Sequence, residues 1–163
     1  YGAEDKMSIP SREQCLEILK NNKTPSNVIE HCKAVAKVAE EIAQKMIKRG
    51  MKVNKGLVIA AALLHDIERH KEDHVVKGAE LLKRLGLPEI AQVARYHAYH
   101  EMQKDNKFDL SMEQKIVFYA DKRVRNDKKV SLDERYDDLE KRYKADLSAE
   151  RKFVKKMEEE LLG

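Results

Sequence analysis

Four residues with metal-binding side chains interrupt stretches that otherwise have the apolar spacing of buried helix faces. His31 shares a helix face with valine and isoleucine residues, and the doublet His65-Asp66 closes the apolar run 57–64. Asp121 lies among apolar residues at spacings of three and four. Because an unpaired buried carboxylate costs several kcal/mol, we expect both aspartates to face a cation or strong hydrogen-bond donors.

Together, the two imidazoles and two carboxylates form a mixed set of nitrogen and oxygen donors. Such a set suits manganese, iron, cobalt, nickel, zinc or magnesium. Taken singly, each residue also has a structural explanation: His31 as a core histidine, Asp66 as a helix-end group and Asp121 as a salt-bridged acid. In combination, ligands from three separate helices leave coordination positions open for water. The sequence therefore predicts a catalytic metal site.

The elements that must position these residues are predicted to be helices. Only 6 glycines and 3 prolines occur in 163 residues, and aromatic residues make up 6%, so the signals of a β protein are scarce. We expect an all-α, single-domain bundle of about seven helices. A short amphipathic helix follows Ser11, and further helices are expected at about 24–50, 56–69, 74–85, 88–101, 111–124, 132–145 and 149–162, with a polar loop at 103–110.

The helix at 56–69 is expected at the centre of the bundle, because most of it is apolar on every side. One domain is expected over residues 7–163, with its motifs at about 11–125. The charged helices at 131–162 are expected to pack on one side and to expose solvated faces. The first six residues precede the first methionine and are expected to be a cloning remnant outside the fold.

The composition of the chain indicates which partners it could bind and in which compartment it is expected. The 33 Lys and Arg nearly balance the 29 Asp and Glu, so the net charge of +4 does not require nucleic acid, although it tolerates an anionic substrate. No apolar run approaches the roughly 20 residues that span a bilayer, and no secretory segment is evident, so a cytoplasmic protein is expected. Cys15 and Cys32 are expected to be reduced core thiols.

The order of His31, the doublet His65-Asp66 and Asp121 resembles the signature of the HD superfamily of metal-dependent phosphohydrolases. The flanking strings are also similar to that family, namely Ala-Leu-Leu-His-Asp-Ile at 62–67, Gly-Ala-Glu-Leu-Leu at 78–82 and Tyr-Ala-Asp-Lys at 119–122. The resemblance covers about residues 11–125 and is closest to the small stand-alone branch written His-Asp-Ile-Gly. It implies a helical fold built around the metal.

The resemblance also implies a reaction. We expect one or two divalent ions to activate a water that attacks a phosphate ester, with Asp66 touching both metal and nucleophile. A nucleotide or another small phosphomonoester is the expected substrate, followed by a cyclic or oligonucleotide phosphodiester. Two alternatives remain open: a di-iron oxygenase of the same superfamily, and a non-catalytic module that binds a nucleotide or a protein partner. The oligomeric state is not assigned.

The chain departs from that branch directly after the doublet. Glu68 stands where the branch usually has glycine, and Arg69 stands where it often has lysine. On a continuous helix Glu68 would share a face with His65 and Arg69 with Asp66, so both are candidates to reach a substrate phosphate or its attacking water. The alternative is that both are exposed at the end of a helix.

Further histidines follow the doublet, as they do in two-metal members of the superfamily. His74 and His97 stand at corresponding places and are candidates for a second metal or for phosphate contacts. His100 lies one turn after His97, although the family often has adjacent histidines there. His70 is expected to be structural.

Basic residues near the motifs are candidates for holding the substrate phosphate. The strongest is Arg125, which would share a helix face with Asp121, and the others are Lys122 and Lys77. For each of the three, the alternative is a solvated surface cation.

Overall fold

The computed structural model describes residues 9–163, which form nine α-helices and one short antiparallel hairpin. The all-α fold class is therefore confirmed, whereas the proposed cloning remnant at 1–6 lies outside the described residues. The helices are α1 (Arg12–Asn21), α2 (Ser26–Lys48), α3 (Lys55–Leu64), α4 (His74–Arg84), α5 (Pro88–Arg95), α6 (Tyr99–Asp105), α7 (Met112–Lys122), α8 (Leu132–Tyr143) and α9 (Ser148–Leu162). The hairpin pairs β1 (Val124–Arg125) with β2 (Lys128–Lys129).

Helix α3 lies at the centre of the bundle, as its sequence predicts. Seven of its ten residues are buried, and it packs against α1, α2, α5 and α7. A helix without a polar face has no side to present to water, so neighbours must cover it all round. The end of α3 is consequently deep in the core, and this is where the doublet His65-Asp66 emerges.

Side-chain caps start several of the helices, among them α7, which carries Asp121. In α7, Ser111 and Gln114 form a complete capping box, as Ser11 and Gln14 do in α1. Ser131 accepts a hydrogen bond from the backbone of Glu134 at the start of α8. These caps satisfy backbone N–H groups that have no partner within the helix.

Two predicted helices are shorter in the structure than the periodicity indicates. The helix expected at 56–69 ends at Leu64, and residues 65–70 continue as turns with hydrogen bonds from N–H groups to carbonyls three residues earlier. The helix expected at 88–101 is two helices, α5 and α6, with His97 in the bend between them. This bend divides one of the eight helical segments expected from the sequence, so the described residues contain nine helices.

The region after Asp121 also differs from the prediction. Helix α7 ends at Lys122, and the chain turns into the hairpin, so Arg125 lies on a strand and not on a helix face with Asp121. The turn of this hairpin places Asn126 in the left-handed region, at a φ of 57°, which asparagine tolerates better than most residues. The turn returns the chain toward α2, which contacts both strands.

A substitution at the N-cap of α7 tests how much the cap stabilises the helix that carries Asp121. We expect Ser111→Ala to lower the free energy of unfolding by about 1 kcal/mol, because the backbone N–H of Gln114 loses the Ser111 hydroxyl as its acceptor. Ser148→Ala is the matched control, since Ser148 is exposed and its side chain does not cap α9. Urea unfolding followed by circular dichroism measures both, and equal effects would contradict the role of the cap.

Candidate metal centre

Four side chains from three separate parts of the fold meet at the end of α3. His31 comes from α2, His65 and Asp66 from the turn after α3, and Asp121 from the last turn of α7. The Asp121 Oδ1 atom lies 3.0 Å from the Nε2 of His31 and 3.1 Å from the Nε2 of His65. The Asp66 Oδ2 atom lies 3.5 Å from each of the same two nitrogens. One ligand atom from each residue therefore falls in a single group that could hold a metal ion.

Backbone carbonyls fix which nitrogen each histidine presents to this group. The Nδ1 atom of His65 lies 2.6 Å from the carbonyl oxygen of Ala62, and that of His31 lies 2.6 Å from the carbonyl oxygen of Asn126. A carbonyl oxygen only accepts hydrogen bonds, so each Nδ1 must carry the hydrogen. In the neutral ring the lone pair is then on Nε2, the atom that faces the carboxylates.

This arrangement fits a cation. An Nε2 lone pair and a carboxylate oxygen repel each other unless a proton or a metal ion lies between them, and both carboxylates are buried. The Oδ1 atom of Asp66 is also buried and has no hydrogen-bond partner among residues 9–163. A metal ion would satisfy all these groups, and histidine with carboxylate is a donor set that transition metals accept.

A second group extends the first across Asp66. The Oδ1 atom of Asp66 lies 3.3 Å from the Nε2 of His97 and 4.0 Å from the Nε2 of His74. These three residues also form a group that could hold a metal ion. His97 repeats the pattern of the first group, because its Nδ1 lies 2.7 Å from the carbonyl oxygen of Ala94. Asp66 belongs to both groups and could bridge two ions.

The charges in the site shift the protonation of its members. Burial lowers the pKa of His65, but the Asp66 carboxylate, Cys32 and the hydrogen bond to Asp121 together outweigh burial, so the net shift is upward. Burial raises the pKa of Asp121, but Lys122 and the hydrogen bonds from His31 and His65 outweigh it and hold the pKa well below its usual range. Both shifts show that positive charge stabilises the carboxylates strongly.

The two residues that follow the doublet have different surroundings. The guanidinium of Arg69 lies 3.0 Å from the Oδ2 of Asp66, so it is at the metal group, as the sequence indicates. Glu68 is not at the metal group: it is buried against Asn22, Lys71 and His70, 3.1 Å from the Nζ of Lys71. The expectation for Glu68 assumed a continuous helix, and the turns at 65–70 redirect its side chain.

The remaining candidates occupy other places. His100 is 70% exposed and contacts Glu101, outside both groups, and Lys77 is exposed on α4. Lys122 is nearly buried, with its Nζ 3.2 Å from the Oδ2 of Asp121, and thus acts as a counterion inside the protein. Arg125 is ion-paired with Asp138 on α8, 3.1 Å away.

A cavity of about 420 Å³ opens beside the first group, with His31 and Asp66 in its wall. Its volume is typical of a site for a small molecule. Two of its basic residues, Arg69 and Arg125, are candidates from the sequence, whereas Arg135 and Arg142 on α8 are not. These two are seven residues apart and share a helix face, but that spacing does not indicate what the face packs against.

Comparison with known proteins establishes the family. The family model described as HD domain matches residues 28–157, which is most of the chain. The chain therefore belongs to the HD domain family, as the motifs predict. No solved structure matches the chain significantly.

Three relatives are archaeal. An uncharacterized protein of Methanocaldococcus jannaschii is 37% identical over 80% of this chain and 85% of its own length. Two proteins named tRNA (cytidine(56)-2′-O)-methyltransferase, from Picrophilus torridus and Thermoplasma volcanium, are 32% and 31% identical over 94% and 82% of this chain. The matches span only 47% and 42% of those two proteins.

Asp121→Asn tests whether charge at the first group holds a metal ion. The amide is nearly isosteric with the carboxylate, so we expect the helical circular dichroism to remain while the affinity for manganese falls at least tenfold. Isothermal titration of the metal-free protein measures the affinity. The control is Asp109→Asn, because the side chain of Asp109 is 87% exposed. This variant should bind manganese as the parent does. Unchanged affinity in Asp121→Asn would assign that residue a purely structural role.

Proposed function

We propose that the protein is a metal-dependent phosphohydrolase that acts on a phosphate ester, with a nucleotide or another small phosphomonoester as substrate. The observation that carries the proposal is the position of the buried Asp66 and His31 in the wall of a cavity that also contains arginine side chains. A set of metal ligands alone is also compatible with a structural ion. A set of metal ligands in the wall of a cavity with arginine side chains is typical of a site where an anionic substrate reacts.

In this function, His31, His65, Asp66 and Asp121 would hold a divalent ion. When bound, the ion supplies Lewis-acid catalysis: it makes water nucleophilic at neutral pH and offsets charge on the phosphoryl oxygens. Asp66 belongs to both ligand groups and is placed to touch both the ion and the attacking water. Arg69 contacts Asp66 and is placed to donate hydrogen bonds to the phosphoryl oxygens, because a guanidinium matches phosphate geometry.

The second group supports a further part of the proposal, a site for two ions. We expect the manganese-saturated parent to contain near two ions per chain, and His74→Ala to contain near one. His74 suits this test because its side chain is 32% exposed, whereas His97 is only 5% exposed and its removal would leave a hole in the core. Elemental analysis after gel filtration gives the ratio. His100→Ala is the matched control, and a parent that saturates near one ion would refute the two-ion site.

Two other functions and one other class of substrate have to be distinguished from this proposal. Di-iron oxygen chemistry would require iron, and the iron-loaded protein would then show an optical spectrum and consume oxygen. An RNA substrate is suggested by the names of the two methyltransferase relatives, although this chain matches less than half of each. A non-catalytic binding module would load metal fully but turn over nothing.

Hydrolysis is tested with a broad set of phosphomonoesters, cyclic nucleotides and short RNAs in the presence of manganese, cobalt, nickel or magnesium. We expect the parent to release phosphate from at least one class, and Asp66→Ala to lose bound metal and turnover together, because a methyl group cannot offset cation charge. Asp109→Ala should retain both. Turnover at the parent level in Asp66→Ala would refute the assignment.

A further inference from the structure

The cavity beside the metal centre has a wall rich in arginine. Four arginines contribute to it, Arg69, Arg125, Arg135 and Arg142. The acidic side chains in the wall are Glu30, Asp66 and Asp127. Asp66 is part of the metal groups, and Glu30 is paired with Lys33, with its carboxylate 3.2 Å from the Nζ. The four guanidiniums outnumber the three carboxylates of the wall, so its formal charge is positive.

The arginines divide into two sets. Arg69 touches Asp66 and therefore belongs to the metal centre. The other three come from the hairpin and from α8, at the C-terminal side of the fold. Arg135 and Arg142 are two helical turns apart, or about 10 Å along the axis, so the basic surface is longer than a single phosphate group. We call Arg125, Arg135 and Arg142 the arginine triad.

Acidic partners hold part of this triad in place. Asp138 binds Arg125 through Oδ1 at 3.1 Å and Arg142 through Oδ2 at 2.5 Å. A carboxylate that takes one guanidinium on each oxygen sets them side by side, and each guanidinium keeps further N–H groups for a ligand. Asp138 is therefore a positioning residue for the triad.

Arg135 is the third member of the triad, and its side chain lines the cavity. Its Nε atom is buried without a hydrogen-bond partner among residues 9–163, so a ligand in the cavity would meet the terminal N–H groups of the guanidinium.

We propose that the arginine triad binds a second phosphate of the substrate, so that the preferred substrates are nucleotides with a phosphate besides the one that is hydrolysed. Phosphate fits better than carboxylate because it offers more charge and more acceptors to three guanidiniums. Asn27, Val28 and Asn126 complete the wall with amide and apolar surface, which suits the nucleoside between the two phosphates. This inference rests on the proposed hydrolase function and narrows its substrate class.

The test uses adenosine 3′,5′-bisphosphate and adenosine 5′-monophosphate as probes. Arg125→Ala and Arg142→Ala are suitable variants, because both side chains are nearly half exposed and neither fills the core. Lys141→Ala removes the same charge from α8 at an exposed residue outside the cavity wall and is the matched control. Circular dichroism verifies that all three variants keep the parent fold.

Binding to the metal-stripped protein is measured first, by isothermal titration with the bisphosphate. We expect Arg125→Ala and Arg142→Ala each to weaken binding about tenfold, as the loss of charged hydrogen bonds does, and Lys141→Ala to stay within twofold. The arginines are not metal ligands, so this result does not depend on hydrolysis. Parent-like binding in both arginine variants, or an equal loss in Lys141→Ala, would overturn the second-phosphate site.

Turnover is measured next with manganese-loaded protein. We expect kcat/KM for the bisphosphate to exceed that for the monophosphate in the parent, and this ratio to fall about tenfold in Arg125→Ala and Arg142→Ala but not in Lys141→Ala. A parent that hydrolyses other phosphate esters but shows no preference for the bisphosphate would overturn this inference alone. A parent that binds the bisphosphate through the triad but hydrolyses no phosphate ester would overturn the proposed function alone.

Discussion

Nitrogen lone pairs of buried histidines point at buried carboxylates, and this arrangement is stable only when positive charge lies between them. Asp66 and Asp121 cannot lower their energy by contact with water, because both are buried. A proton on His65 supplies part of this positive charge, and the pKa of that histidine is accordingly raised. A divalent cation would supply positive charge to all four side chains together. Much of the local structure around the end of α3 follows from this requirement.

Helix ends provide the orientation that the ligands need. The last carbonyls of a helix have no partner within the helix, and the side chain of a histidine three residues later can satisfy one of them. His65 does so at the end of α3 through Ala62, and His97 does so at the end of α5 through Ala94. The same contact directs Nε2 toward Asp66 or Asp121, so the ends of these two helices orient the histidines that follow them.

The sequence predicts which residues meet at the end of α3 better than it predicts how they are arranged. Apolar periodicity indicated the central helix, and polar residues within apolar faces indicated His31, Asp66 and Asp121, because burial follows directly from spacing. Periodicity does not report where a helix stops when turns continue the same rough spacing. For that reason the helices at 56–69 and 88–101 were predicted too long, and Glu68 was expected at the site although it packs against Lys71.

The cavity could not be predicted from local patterns at all. Arg135 and Arg142 lie in a charged helix whose pattern is the same as that of a solvated surface, and only long-range packing places them beside His31. The hairpin makes that connection. Its residue Asn126 accepts the Nδ1–H of His31, while the neighbouring Arg125 lines the cavity and pairs with Asp138 on α8. A ligand that contacts Arg125 would therefore act on the same turn that orients His31, so the cavity and the candidate metal group share one structural support.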